Sequence, residues 1–279
     1  MKFGVTMLLT DYAMNPGDLG RAVEEHGFES LLFPDHTHIP VNRPRSRRRS
    51  GEMPAEYRHI MDPFVSLAAA ATRTTHLLVG TGVCLIAERD PITLAKQVAS
   101  LDHLSGGRVL FGIGGGWNRE EMENHGTDFR LRWKILRERI EAMKKIWMED
   151  EATYHGDFVN FEAIWSWPKP VQKPHPPIIV GGSGPRTLQR VVRYGDEWMP
   201  SFPDWNAIGD KIRELNDMAA AANRCPISVS LFDPPSEPAQ LEQYRKWGVS
   251  RVVFRVPAAG PEVVCPKLDE LAELSREFG

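Results

Sequence analysis

Short apolar or β-branched runs alternate along the chain with longer stretches in which apolar residues recur every three or four positions. The runs 3–9, 28–33, 76–85, 109–113, 177–180, 197–200, 227–232 and 252–256 predict strands, being short and continuous in apolar character. The stretches 17–26, 62–72, 92–104, a long one ending at Trp147, 188–194, 208–222, 239–247 and 268–278 predict helices. In the long stretch Trp133, Leu136, Ile140, Met143 and Trp147 make a stripe at helical spacing, which reads as a core-facing surface and not as a stacking site. Eight strand–helix alternations predict an α/β chain folded as a single (β/α)8 barrel of the TIM type over residues 1–279, with its active site in the loops that follow the strands. A doubly wound parallel sheet is the alternative, because the count depends on strand boundaries. Two extended loops stand out, 34–60 after the second strand and 150–176 before the fifth, and loops of that length are usually functional or mobile.

Composition narrows the class of partner without naming one. The 42% hydrophobic and 25% charged residues are ordinary for a globular protein, and a net charge of −3 gives no overall attraction to nucleic acid or to an anionic membrane. No apolar run reaches the roughly 18 residues that a membrane span needs, and the start, Met1-Lys-Phe-Gly-Val-Thr, lacks a signal-peptide core. Cys84, Cys225 and Cys265 form neither a disulfide framework nor a zinc pattern, so a reducing cytoplasm is expected.

Candidate chemistry sits just after the strands. Pro34-Asp35-His36-Thr37-His38 follows the second strand, where an imidazole could hydrogen-bond a ring or move a proton near neutral pH, or serve simply as a structural hydrogen-bonder. No third ligand at a recognisable spacing makes a metal pair of His36 and His38, and no metal is expected. Val79-Gly-Thr-Gly82-Val83-Cys84 has glycines inside a strand, which mark a bulge, a close backbone approach or a packing contact. Arg108-Val-Leu-Phe-Gly-Ile-Gly-Gly-Gly-Trp117-Asn-Arg-Glu-Glu121 turns from strand through glycines into a helix start. Its G-x-G-x-G run would suit a dinucleotide fold, yet the second strand and acidic end which that fold requires are replaced by the helical stripe. Ile179-Val-Gly181-Gly182-Ser183-Gly184-Pro185-Arg186-Thr187 combines glycines, hydroxyls and a helix start, which suits either a phosphate cradle or a tight turn.

Taken together, Phe33-Pro34-Asp35-His36, Gly80-Thr81-Gly82-Val83, Ser105-Gly106-Gly107-Arg108 with the glycine-rich turn to Glu121, Pro176-Pro177-Ile-Ile-Val-Gly-Gly-Ser-Gly and Gly195-Asp196-Glu197-Trp198 resemble the bacterial luciferase-like flavin and deazaflavin oxidoreductases. The resemblance covers most of the chain and is strongest to the subgroup that uses coenzyme F420, a deazaflavin. It implies that Asp35 and His36 lie beside the cofactor ring and that Gly82–Val83 is a bulged cis peptide backing it. It implies too that Gly181, Gly182 and Ser183 hold the phosphate, with Gly114, Gly115 and Gly184 also against the cofactor. One departure is Trp117, which stands where the family's sugar-phosphate dehydrogenases carry a catalytic glutamate, so that chemistry is not expected here.

Between Asn42 and Ser50 lie five arginines in seven positions, Arg43, Arg45, Arg47, Arg48 and Arg49. Their repulsion is relieved by a polyanion or by solvent. F420 ends in a polyglutamate tail and FMN in one phosphate, so Arg47 and Arg48 are assigned to the cofactor and F420 is preferred, with FMN as the alternative. A nucleic-acid arm is disfavoured because no aromatic residues interleave the arginines. Trp165 and Trp167, on the second long loop, would wall a substrate pocket with His38 and Trp117, or only pin the loop. The expectation is a cytoplasmic homodimeric oxidoreductase moving a hydride between F420 and a small organic substrate, with His36 as proton donor or ring-orienting group. The alternatives are an FMN-dependent monooxygenase served by a separate reductase, and a non-catalytic flavin-binding protein.

Overall fold

The computed structural model describes residues 1–41, 53–201 and 203–279, and its parallel strands close on themselves. The barrel strands are β1 (Lys2–Thr6), β2 (Ser30–Phe33), β3 (Leu78–Thr81) with its continuation β4 (Cys84–Leu85), and β5 (Val109–Gly114). After an antiparallel hairpin, β6 (Ala152–His155) and β7 (Asn160–Ile164), come β8 (Ile178–Gly181), β9 (Glu197–Met199), β10 (Ser228–Phe232) and β11 (Arg251–Arg255). β1 pairs with β11 and β2, and the pairing of Val79 and Gly80 with Val109 and Leu110 completes the ring, so the barrel has eight strand positions. The helices are α1 (Pro16–Glu25), α2 (Pro63–Thr72), α3 (Pro91–Ser105), α4 (Arg119–Asn124), α5 (Arg132–Met148), α6 (Thr187–Tyr194), α7 (Ile208–Ala221), α8 (Pro238–Lys246) and α9 (Pro261–Phe278).

Five helices open on proline behind a turn residue, which pins their starts at the strand-end face. Asn15 caps α1 through Gly17 N–H, Asp62 caps α2 through Phe64 and Val65 N–H, Asp90 caps α3 through Thr93 N–H, and Glu237 with Gln240 forms a capping box on α8. Inside the barrel Leu32, Leu110, Ile179, Met199 and Val253 pack with Val83 and Phe232. Neighbouring side chains on the same strands, such as Leu31, Val79, Phe111 and Val252, face the helices.

At the opposite end, where the strands begin, buried Arg251 is answered by two acids. It donates from Nε to Glu29 (2.6 Å) and from Nη1 to Glu197 (2.7 Å) and Ser230 Oγ (2.9 Å). Arg108 donates to the carbonyls of Ala71, Thr74, Leu77 and Ser105, tying together the C-terminal ends of α2 and α3.

Four expectations change. The third strand is interrupted by Gly82–Val83, whose peptide bond is cis, as the resemblance implies. The long helix is two, α4 and α5, parted at Gly126, which takes φ +76°. The last helix begins at Pro261 and not at 268, because Pro266 falls within its early turns and does not stop it. The loop 150–176 holds the β6–β7 hairpin, whose partly buried strands carry no continuous apolar run. Among the described residues no helix is long and apolar enough to cross a membrane.

Candidate active site at the strand ends

His36 follows β2 directly and turns inward, 7% exposed. Its Nδ1 lies 2.7 Å from Oε2 of Glu121, a fully buried carboxylate in the first turn of α4. Glu121 also accepts from Thr37 N–H (3.1 Å) and Asn118 Nδ2 (3.3 Å), so its oxygens are fixed from three directions. A carboxylate held this way keeps the proton on Nδ1 and leaves Nε2 as the exchanging nitrogen. Nε2 has no hydrogen-bond partner among the described residues. Tyr57 (5.4 Å between centroids) and Trp117 (5.5 Å, edge-on) flank the imidazole and meet each other edge-on at 6.2 Å.

The neighbouring Asp35 is committed elsewhere. Its oxygens take Leu85 N–H (3.0 Å) and both Nε (2.8 Å) and Nη2 (2.7 Å) of Arg89, in the paired geometry arginine favours. Burial works against the Arg89 charge, yet hydrogen bonds and the charge of Asp35 hold its pKa above the usual range. Asp35 thus locks the loop after β2 to the strand end at β4.

Beside this pair lies Glu88, whose side chain is 1% exposed and whose two oxygens have no hydrogen-bond partner. Burial first, then the charges of Glu121 and Asp35, push its carboxyl up to about 8. His125 Nε2 stands 3.9 Å from it and 2.6 Å from Thr37 Oγ1. A directional chain follows, with Asn124 Nδ2 donating to His38 Nε2, His38 Nδ1 to Thr37 Oγ1, and the Thr37 hydroxyl to His125. Burial and the nearby His38 both lower the His125 pKa, as this neutral arrangement requires. Across the mouth, Arg255 forms an ion pair with Asp233 (2.6 Å) at the ends of β11 and β10.

Val83, just past the cis bond, lies against a glycine floor. A Cβ on Gly114 or Gly181 would come within 2.5 and 3.0 Å of the Val83 methyls, so only glycine admits this side chain between β5 and β8. Past β8, Gly182 has φ +122° and leads into Ser183 and Gly184, both exposed. Beneath the turn lies Thr187, 2% exposed, whose Oγ1 has no partner and would be 3.4 Å from a Cβ on Gly182 and 3.7 Å from one on Gly184. A cavity of about 240 Å³ opens beside it, lined by Ser183, Thr187, Trp198 and Lys211 among others. Gly115 faces the Trp133 ring, which a Cβ there would strike.

Several expected site residues fall elsewhere. Trp165 bonds Glu151 just past the end of α5, and the Trp167 carbonyl lies against Lys96 of α3. Their segment precedes β8, so it runs at the strand starts and does not wall the mouth. Trp133 departs from its stripe: Leu136, Ile140, Met143 and Trp147 are buried, while it stays half-buried at the rim. Arg47 and Arg48, with the whole 43–49 cluster, lie outside the described residues. Glu121, Glu88, Arg89 and Tyr57 join the site unannounced; of these Glu121 lies in the glycine-rich segment after the fourth predicted strand and Tyr57 in the long loop 34–60, both singled out in the sequence, while Glu88 and Arg89 lie in neither.

A family model described as luciferase-like monooxygenase matches residues 9–232. An uncharacterised protein of Mycobacterium tuberculosis is 39% identical over 277 residues, covering 98% of each chain. The FMNH2-dependent dimethylsulfone monooxygenase of Pseudomonas putida is 31% identical over 161 residues, covering 57% of this chain and 44% of that protein. Among solved structures, an F420-dependent secondary alcohol dehydrogenase in complex with an F420–acetone adduct superposes with a TM-score of 0.77 at 18% identity, covering 100% of this chain and 99% of that one.

Proposed function

The chain belongs to the luciferase-like monooxygenase family, and on that premise we propose that it is an oxidoreductase that binds coenzyme F420 and exchanges a hydride between this deazaflavin and a small organic substrate. The observation that carries the reading is the buried His36–Glu121 pair, which holds a proton-exchanging nitrogen at the catalytic face. The turn at Gly182–Thr187 fits the cofactor's phosphate, since an unpartnered hydroxyl lies under a glycine bend that leaves room for an anion. Gly181, Gly182, Ser183 and Gly184 would hold it there, Val83 would back the ring from the glycine floor, and Gly114 and Gly115 would keep the approach open. When bound, the deazaflavin supplies a carbon that gives or takes a hydride.

The residues of the chain handle the proton that accompanies that hydride. As a carbonyl is reduced, His36 Nε2 donates a proton to its oxygen; as an alcohol is oxidised, Nε2 accepts one. Glu121 keeps the imidazole oriented and stabilises it when charged. Trp117 and Tyr57 cover the ring of His36 and keep water from it, which gives the substrate side an apolar wall and argues against a phosphorylated sugar.

Five arginines at 43–49 favour the polyanionic coenzyme over FMN. The second reading, an FMN-dependent monooxygenase fed by a separate reductase, is favoured by the cradle itself, which suits a cofactor ending in one phosphate. Titrating the purified protein with F420 and with FMN, followed by cofactor fluorescence, separates the two. F420 binding at least tenfold tighter is expected. Binding of FMN alone would establish the second reading, and binding of neither would remove both.

A further inference from the structure

Three arginines at the rim lack any carboxylate within ion-pair distance among the described residues: Arg132, Arg186 and Arg190. They stand at helix starts, where a cation opposes the helix dipole. Arg132 is the first residue of α5 and Arg186 the residue before α6, and neither helix has a side-chain cap or an acidic residue in its first turn. Arg132 donates from Nη1 to the Phe129 carbonyl (2.7 Å), and Arg119, which pairs with Glu123 at 3.5 Å, joins Arg132 and Arg190 through aromatic faces. Arg119 lies 4.8 Å from the centre of the Phe129 ring and Arg132 3.8 Å from it, while Arg132 at 5.5 Å and Arg190 at 3.8 Å flank the Trp133 ring. The result is a ladder of alternating cations and rings from the start of α4 to α6.

The ladder abuts the phosphate cradle. A Cβ on Gly115 would strike the edge of Trp133, and one on Gly182 would lie 4.0 Å from it, so this ring stands between the two glycine turns. Two buried polar atoms there lack partners, Nε of Arg132 and Oγ1 of Thr187, and Thr187 is 2% exposed and faces the turn. Burial and then mutual repulsion with Arg190 and Arg119 lower the Arg132 pKa; burial, with Arg186 adding to it, lowers that of Arg190. Such a cluster gains from anions in a way that a solvated charge run does not, because aromatic stacking holds its cations together.

We propose that the Arg119–Phe129–Arg132–Trp133–Arg190 ladder binds a chain of carboxylates continuing outward from the anion in the Gly182–Thr187 turn, namely the polyglutamate tail of the deazaflavin coenzyme. This rests on the cofactor reading above and adds what that reading lacks, the groups that distinguish the coenzyme from FMN within the described structure. The guanidinium groups pair with successive carboxylates, and Arg132 Nε and the two uncapped helix starts face the anion nearest the turn.

The test is a fluorescence titration with three ligands: the coenzyme carrying several glutamates, the same deazaflavin phosphate without glutamates, and FMN. The proteins are the wild type, an Arg119→Gln/Arg190→Gln variant, and an Arg47→Ala/Arg48→Ala/Arg49→Ala variant, each checked for fold by circular dichroism. The wild type should bind the tailed form about tenfold or more tightly than the tail-free form, a difference that shrinks with salt. The Arg119→Gln/Arg190→Gln variant should erase that difference and leave the tail-free form and FMN within about twofold. Equal binding of both deazaflavins by the wild type overturns the ladder while leaving the cofactor reading in place. So does a tail preference lost only in the Arg47→Ala/Arg48→Ala/Arg49→Ala variant. Binding of FMN with neither deazaflavin overturns both.

Discussion

Replacing Glu88 by glutamine should stabilise the protein at alkaline pH and do little at acid pH. In the fold this carboxyl titrates at about 8, against 4.5 in an unstrained setting, because it is buried without a hydrogen-bond partner beside the charges of Glu121 and Asp35. Between those two values the unfolded chain has lost the proton that the folded chain keeps. Stability from this group is therefore complete below pH 4.5, falls as pH rises, and is exhausted above about 8. At about 1.4 kcal/mol per pH unit, a gap of roughly 3.5 units is worth on the order of 5 kcal/mol. That figure is an upper bound, since any water reaching Glu88 would reduce it. Glutamine matches the neutral acid in shape and never ionises. Urea unfolding from pH 5 to 9, with the slope m checked for constancy, should place Glu88→Gln within about 1 kcal/mol of the wild type at pH 5 and several kcal/mol above it at pH 8.5. A difference that does not change with pH, or a variant less stable at pH 8.5, would refute the reasoning.

Glu121→Gln removes the negative charge that orients His36 and should lower kcat by about 100-fold while cofactor affinity stays within about twofold; unchanged turnover would show that the pair is structural. Gly182→Val places a β-branched residue at φ +122° under the anion turn and should abolish binding of either cofactor while circular dichroism shows an intact barrel. Normal affinity would put the phosphate elsewhere. Arg251→Met strips the buried partner of Glu29 and Glu197 and should cost about 3–5 kcal/mol in urea unfolding, with activity per folded molecule unchanged.

The barrel is legible because strand runs and helical stripes have different periods, and eight of each appear in order. What escaped notice lacked that signal. β6 and β7 have a single fully buried position, Ala152, and bury no continuous face. α9 runs back through Pro266 to Pro261, since the missing N–H of Pro266 falls only just beyond the first turn, where few bonds are lost. His36 was visible from its place after a strand, whereas its partner Glu121 lies 85 residues further on and only barrel closure brings them together. Trp165 and Trp167 were misplaced for a topological reason: a loop before a strand lies at the end away from the chemistry. Asp35 stood out from its place after a strand, whereas nothing local announces Arg89, 54 residues away, as the partner of its oxygens.

The two ends of the barrel differ in how their charges are matched, and this bears on how a ligand could be found. At the strand starts Arg251 is answered by Glu29, Glu197 and Ser230, whereas the catalytic rim holds a carboxyl with no donor and arginines with no acid. A molecule that supplies the missing counter-charges binds only the folded chain and so raises its melting temperature, by about 2.7 kcal/mol of added stability at one hundred times Kd. Melting curves across a panel of anionic cofactors and metabolites would therefore rank candidates before any reaction is known, with the protein's own thermal stability serving as the indicator.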